Sequence, residues 1–355
     1  MTTEIVTIKD PCTPEARAAL TRAKEILSRG GLVVFPTETV YGLGADATNA
    51  HAAAAIYAAK GRPSDNPLIV HVKDPKDASL YAETCPLYDR LAAAFMPGSL
   101  TVIMPAKESI PKTVTAGLST VAIRCPLHPV AHALLCVSGL PIAAPSANLS
   151  GSPSPTCARH VIEDMNGRVD MIIDGGDCEI GVESTIVKID GEDTLTLLRP
   201  GAITPEMLSR VAKTVNIADA VLDRLAEGET VLSPGMKYRH YAPHTPLALL
   251  KGEREEAIAY LRAQPGKIAL LCYSEDLPIY EQKLPHARCY PLGERARMDE
   301  QAHRLFTLLR DLDKENCDAI FAPLPPTVGM GMALYNRMIR AAAHHIVDLE
   351  EKEQS

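Results

Sequence analysis

Short apolar runs alternate with amphipathic stretches through the first half of this chain, and proline or glycine marks most of the changes. Residues 14–29 carry helical periodicity and stop at Gly30-Gly31, a pair suited to ending a helix. Residues 32–35 read as a buried strand, and residues 37–48 as loop. The alanine-rich stretch 52–60 reads as helix, 68–72 as strand and 86–95 as helix. Strands are expected at 100–105 and 121–124. Residues 129–138 open on proline, favourable at a first helical position, and read as helix. Strands at 140–144, 171–173 and 184–189 complete a large sheet.

Polar loops follow some of these strands and precede others. Those at Pro36, Cys125, Pro145 and Asp174 follow, whereas those at Asn66 and Glu183 precede. If all line one cleft, strands 68–72 and 184–189 must run against the rest. The expectation is an α/β fold whose N-terminal domain is a twisted mixed sheet with helices. Loops at strand ends are where such proteins hold anionic ligands.

The pattern breaks at residues 232–244, which carry two prolines and a glycine and are dense in aromatic and basic side chains. Regular alternation then resumes: strand 247–250, helix 254–263, strand 267–272, helix 295–316, strand 319–322 and helix 333–346. That order predicts a smaller, Rossmann-like C-terminal domain. The expected organisation is a first domain over 1–217, a linker over 218–245 with its core at 232–244, and a second domain over 246–355. No internal repeat is visible.

The length of 355 residues suits two domains, and 46% hydrophobic with 23% charged residues describes a core-forming protein. A net charge of −8 argues against a general nucleic-acid binder while leaving room for a local basic cleft. The nine cysteines are scattered and form no CxxC, so the expectation is a reducing, cytoplasmic setting without a disulfide framework or cysteine zinc site. No apolar run reaches membrane-spanning length, and the first ten residues lack a signal-peptide pattern.

Several familiar site patterns are missing. There is no phosphate-binding P-loop, no Gly-x-Ser-x-Gly elbow and no evident Cys/His nucleophile pair. Gly329-Met-Gly331 is half a dinucleotide fingerprint, better explained by helix initiation and backbone packing. His128 and His132 are four apart, but Pro129 starts a helix between them, so a cap or surface histidine fits better than a metal pair. What remains is a pair of polar loops. Lys60-Gly61-Arg62 supplies two cations near Asn66, and Ser146-x-Asn148 supplies a small hydroxyl and an amide. Taken singly, these fit a helix C-terminus and a turn. Taken together they suggest a polyphosphate or carboxylate site.

Pro36-Thr37-Glu38-Thr39-Val40-Tyr41-Gly42-Leu43, Lys60-x-Arg62 with Asn66-Pro67-Leu68, Ser146-x-Asn148 and Glu183-Ser184-Thr185-Ile186 follow one another in this order. Together they resemble the YrdC-like family of threonylcarbamoyl-AMP synthases over residues 5–217. Ser233-Pro234-Gly235-Met236-Lys237-Tyr238-Arg239-His240-Tyr241-Ala242-Pro243 resembles the linker of the long, two-domain members, and the remainder matches their C-terminal extension more loosely.

The resemblance implies a nucleotidyltransferase that makes L-threonylcarbamoyl-adenylate from L-threonine, bicarbonate and ATP, releasing pyrophosphate. A separate tRNA threonylcarbamoyl transferase complex would then modify the adenosine beside the anticodon, so little direct tRNA affinity is expected. It implies that Lys60, Arg62, Ser146 and Asn148 form the nucleotide and carbamate core. Asn66, Thr120, Ser154, Arg199 and Tyr241 would also touch ATP. Thr37, His71, Arg124, Ala144 and Ser184 would surround threonine, with Arg124 clamping its carboxylate. Mg2+ would arrive with ATP, held by phosphates and water, since no carboxylate cage is visible. Replacing Lys60 or Arg62 with alanine should abolish activity without unfolding the chain, because these loop residues carry little core area. The competing readings are an RNA- or ribosome-associated binding module and an enzyme using carbamoyl phosphate.

Overall fold

The computed structural model describes residues 2–222 and 242–350, in two compact units: residues 2–150 with 154–222, and residues 151–153 with 242–350. The first unit is built on one twisted sheet. Its strands are β1 (Glu4–Thr7), β2 (Val33–Phe35), β3 (Gly42–Asp46), β4 (Ile69–His71), β5 (Leu100–Pro105), β6 (Thr120–Arg124), β7 (Ile142–Ala143), β8 (Met171–Asp174), β9 (Thr185–Ile189), β10 (Thr194–Arg199) and β11 (Thr214–Ile217). Across the sheet they lie in the order β1-β8-β2-β3-β7-β4-β6-β5-β9-β10-β11. The sheet is mixed, as expected from sequence.

The strand directions follow the expectation only in part. β4 runs against β2, as predicted, through antiparallel pairings of β2 with β3, β3 with β7 and β7 with β4. β6, however, lies parallel to β4, and β9 lies parallel to β5 and hence to β2. The cause is the β5–β6 pairing, in which Pro105 faces Thr120 and Thr101 faces Arg124. That antiparallel hairpin reverses β6. Consequently Asn66 and Thr120 lie at one end of the sheet, and Arg124 and Ser184 at the other. The expected polar groups are therefore divided between the two ends of the sheet.

Local signals explain the helices that position the site. Asn49 caps helix Ala50–Lys60 by accepting from the His51 and Ala52 N–H groups. Gly61, at φ 62°, ends it in the left-handed conformation that glycine adopts without penalty. Lys60 is therefore the last helical residue, with the Arg62–Asn66 turn immediately after. His128 caps helix Pro129–Ser138, its Nδ1 accepting from Val130 N, which bears out the capping reading of that histidine. Helices Pro14–Ser28 and Pro129–Ser138 pack over the β2 and β8 region, where Leu20, Leu27, Phe35, Leu134, Ile142 and Ile173 form one core. A second core joins Ile69, Ile103, Ala122, Ile186 and Leu198.

The second unit holds five parallel strands, β12 (Leu247–Lys251), β13 (Ile268–Tyr273), β14 (Ala287–Gly293), β15 (Ala319–Pro323) and β16 (Ile346–Asp348), in the order β14-β13-β15-β12-β16. Helices Arg254–Arg262, Leu277–Lys283, Met298–Leu312 and Met330–Ala341 connect them. This is the Rossmann-like pattern expected from sequence, with β14 and helix Leu277–Lys283 added between 272 and 295. The last helix is shorter than expected. Ala343 and His344 adopt positive φ, and the chain then enters β16. Gly329 precedes helix Met330–Ala341, and a Cβ at Gly331 would sit 2.7 Å from the Pro326 carbonyl oxygen, which agrees with helix initiation and close packing.

Candidate active site

The Ser146–Asn148 loop is pinned to Tyr41 and the start of β3. Ala147 N donates to Tyr41 O, Leu43 N donates to Pro145 O, and Gly42 bridges Ser146. Against this loop lies Lys60, only 3% exposed. Its Nζ donates to Ser146 O at 2.6 Å and Asn148 O at 2.7 Å, with Asn148 Oδ1 at 3.4 Å. Ser146 Oγ donates to the same Oδ1 at 2.5 Å. The expectation that Lys60 is a loop residue with little buried area is therefore corrected: it ends a helix and is buried.

One turn on, Arg62 Nη2 donates to Asn66 O at 3.0 Å, and the guanidinium lies 5.8 Å from the Tyr57 ring centroid. Tyr57 Oη donates to the same carbonyl. Asn66 is fully buried, and neither its Oδ1 nor its Nδ2 has a partner among the described residues. A buried amide left without hydrogen bonds is costly unless a ligand completes it.

The second polar group centres on Arg124, at the end of β6. Its Nε donates to Gly98 O at 3.3 Å and its Nη2 to Glu38 Oε1 at 2.6 Å, both side chains being about 5% exposed. Glu38 Oε2 also accepts from the backbone N–H groups of Leu127 and His128. Burial alone would raise the Glu38 pKa, but the Arg124 charge, its hydrogen bond and the backbone donors hold it below the ordinary carboxylate value. Glu38 is thus a fixed anion.

His71 pairs with Arg124 across β4 and β6. Burial and the Arg124 charge push its pKa down to about 3, so the imidazole is neutral. Nδ1 faces two acceptors, Ile69 O at 3.1 Å and Ile142 O at 3.3 Å. It therefore carries the proton, leaving Nε2 as an acceptor. Ser184 Oγ lies 2.7 Å from Thr101 Oγ1 and accepts from Arg199 Nη2 at 3.1 Å, while Arg199 Nε donates to Ser184 O. Ser154 Oγ donates to Glu183 Oε1 at 2.5 Å.

The structure thus sorts most of the expected residues into three groups. Lys60, Ser146 and Asn148 form one, with Arg62 and Asn66 alongside. Arg124 and His71 form another, and Ser184 and Arg199 a third on the adjoining strands. Thr37 is buried, its Oγ1 donating to Val40 O and so shaping the turn that carries Glu38. Ala144 is buried, and its N–H donates to Ile69 O. Thr120 opens β6, half-buried, with no side-chain hydrogen bond to the other expected residues. Tyr241 and the linker core before Ala242 lie outside the described residues. Sequence reasoning missed Glu38 as a partner of Arg124, Thr101 as a partner of Ser184, and Glu183 as a partner of Ser154. Glu38 and Glu183 stand inside the quoted motifs, but their partners are distant in sequence. Among the described residues no group of three His, Cys, Asp or Glu side chains could hold a metal ion. No described helix is long and apolar enough to cross a membrane.

Comparison with known proteins agrees with this geometry. Residues 25–201 match the Sua5/YciO/YrdC family model described as "Telomere recombination", and residues 203–343 match "Threonylcarbamoyl-AMP synthase, C-terminal domain". The threonylcarbamoyl-AMP synthase of Bacillus subtilis is 43% identical over 97% of both chains. That of Pyrococcus abyssi is 40% identical over 92% of this chain and 94% of its own. A solved structure of P. abyssi Sua5 complexed with L-threonine superposes with a TM-score of 0.86 at 37% identity, covering 98% of this chain and 99% of that one. On the ordered motifs, the mixed sheet and these full-length likenesses, the chain belongs to the threonylcarbamoyl-AMP synthase family, in its two-domain form.

Proposed function

We propose that this chain condenses L-threonine, bicarbonate and ATP into L-threonylcarbamoyl-adenylate and pyrophosphate, supplying the threonylcarbamoyl group for tRNA modification beside the anticodon. The observation that carries this reading is the buried Asn66 amide without hydrogen-bond partners, one turn beyond Lys60 and Arg62. It is a buried polar group able to meet a ligand's donor and acceptor atoms, on a residue whose main-chain carbonyl accepts from the Arg62 guanidinium.

The reaction joins three anionic groups, so its main requirements are charge neutralisation and positioning. The threonine amine adds to bicarbonate with loss of water, giving a carbamate. A carbamate oxygen then attacks the α-phosphorus of ATP, and pyrophosphate leaves. Phosphoryl-type transfer needs little covalent participation by the protein, in keeping with a site of cations, hydroxyls and amides. Lys60 holds the Ser146–Asn148 loop and brings positive charge to the carbamate and α-phosphate. Arg62, Asn66, Thr120, Ser154 and Arg199 serve the nucleotide. Arg124 takes the threonine carboxylate, and Thr37, His71, Ala144 and Ser184 form the rest of its pocket. His71 Nε2 is a neutral acceptor suited to a hydroxyl donor. Such a pocket rejects valine strongly, and serine only by one methyl group.

Mg2+ travels with the triphosphate. It would be held by phosphates and water and would supply charge neutralisation at the phosphates, since no group of three His, Cys, Asp or Glu side chains among the described residues forms a cage for it. The linker core at 232–244 brings Lys237, Tyr238, Arg239, His240 and Tyr241, side chains able to bind phosphate and stack on adenine, and its proposed role is to shield the labile adenylate from water. The product passes to a transferase complex, and the −8 net charge suits an enzyme that does not itself hold tRNA.

Pyrophosphate release from ATP, measured with threonine and bicarbonate omitted in turn, tests the reading. A synthase requires both, a binding module releases none, and a carbamoyl-phosphate enzyme is indifferent to threonine.

A further inference from the structure

Arg124 is the residue expected to grip an amino-acid carboxylate, yet an arginine side chain is long and flexible. Useful recognition requires that its planar fork be fixed before the substrate arrives. Two contacts do this. Nε is held by Gly98 O, from the segment leading into β5, and Nη2 is held by Glu38 at 2.6 Å. Nη1 has no hydrogen bond among the described residues. The guanidinium is therefore anchored along one edge, with donor capacity remaining.

Glu38 is itself over-determined. Its carboxylate accepts from Leu127 N at 3.1 Å and His128 N at 3.4 Å, and its own carbonyl accepts from Ile180 N at 2.8 Å. Its Oε1 thus ties to the end of β6, its Oε2 to the residues leading into helix Pro129–Ser138, and its carbonyl to the loop before β9. The group facing the pair from β4, His71, is neutral. Glu38 is accordingly the charge that balances Arg124 in the free protein. It stays ionised because Arg124 and the backbone donors outweigh its burial.

We propose that Glu38 is a positioning residue that sets the Arg124 guanidinium as the clamp for the α-carboxylate of the amino-acid substrate. The inference rests on the threonine-activating reading above. Glu38 acts through Arg124, and its effect is specific to the carboxylate. Removing it frees the guanidinium to rotate and leaves a buried cation without its partner, so carboxylate recognition suffers while nucleotide binding does not.

The test is threonine- and bicarbonate-dependent pyrophosphate release by the full-length protein and by Glu38→Gln and Glu38→Asp. Two substrates are compared: L-threonine and L-threoninol, which lacks the carboxylate. In Glu38→Gln, KM for L-threonine rises by roughly 10-fold or more, the scale of a hydrogen bond to a charged group, while KM for ATP stays within about 2-fold. The preference for L-threonine over L-threoninol falls by a similar factor, because threoninol never used the clamp. Glu38→Asp recovers part of that preference. Equal losses for the two substrates, or a parallel rise in KM for ATP, would overturn the inference and leave Glu38 a structural residue. If Glu38→Gln does not unfold cooperatively, Glu38→Asp decides by the same ratio: an unchanged preference overturns the proposal. A wild-type protein that releases no pyrophosphate with threonine overturns the underlying reading. An active wild type with an unaltered preference in the variants overturns only the role of Glu38.

Discussion

The Nζ of Lys60 lies 2.7 Å from the main-chain carbonyl oxygen of Asn148, joining the end of a helix to a loop 88 residues away in sequence. Lysine here both fixes the loop and carries charge into the cleft. Its removal has two consequences, because a second carbonyl, that of Ser146, loses its donor as well.

Lys60→Ala should lower the rate of pyrophosphate release by roughly 100-fold or more, in the range seen for loss of one stabilising donor. It should also cost about 2 kcal/mol of stability, because buried acceptors lose a charged donor. Arg62→Ala, at a half-buried position, should lose activity with a smaller stability change. Denaturant unfolding beside steady-state kinetics checks both. Full activity in Lys60→Ala would show that its charge is not used.

Asn66→Leu separates ligand binding from folding. The wild-type amide has nothing to lose in the ligand-free protein, so the variant should be as stable as wild type or slightly more so. ATP should then raise the melting temperature of wild type and much less that of the variant. An unchanged ATP-dependent shift would show that the amide does not contact nucleotide.

His71 gives a pH signature. The unfolded chain takes up a proton near the ordinary histidine value of 6.5, whereas the folded imidazole resists protonation until about 3. Between those values the unfolded state holds more protons, so stability falls as pH drops through that window, by up to about 1.4 kcal/mol per pH unit. Between pH 7 and 5.5, wild type should therefore lose about 1 kcal/mol more than His71→Asn, measured by urea unfolding. Parallel losses would mean that His71 is not buried as a neutral group.

Deleting residues 233–243 should sharply reduce synthesis and shorten the lifetime of the adenylate in the reaction mixture. Unchanged yield and lifetime would reduce that segment to a tether between the units.

Much of this fold is legible in the chain because its central strands are continuous apolar runs bounded by proline, glycine and capping residues. β5 falls at the predicted residues 100–105. β3 escaped the pattern because Gly42 and Gly44 read as loop. In the sheet, a Cβ at Gly44 would come within 2.8 Å of both Phe35 and Ile142, so the small residue permits close strand packing. The direction of β6 escaped because it is set by pairing with β5, and that choice leaves no mark on the residues of β6. At the site, side chains that end in a charge, amide or hydroxyl and stand in tight motifs were readable: Lys60, Arg62, Ser146, Asn148. Glu38 was quoted in its motif, inside a stretch read as loop, and was given no role because its partner Arg124 stands 86 residues away. Long-range pairing across a sheet is what single-residue pattern cannot carry.

The central claim is that one cleft joins threonine, bicarbonate and ATP in a single product. Incubating the full-length protein with isotopically labelled bicarbonate, L-threonine, ATP and Mg2+, followed at once by mass spectrometry, tests it directly. The account predicts an adenylate that contains both threonine and the label, formed in step with pyrophosphate and lost when Lys60 is replaced. Pyrophosphate release without a labelled threonine-containing adenylate would contradict it.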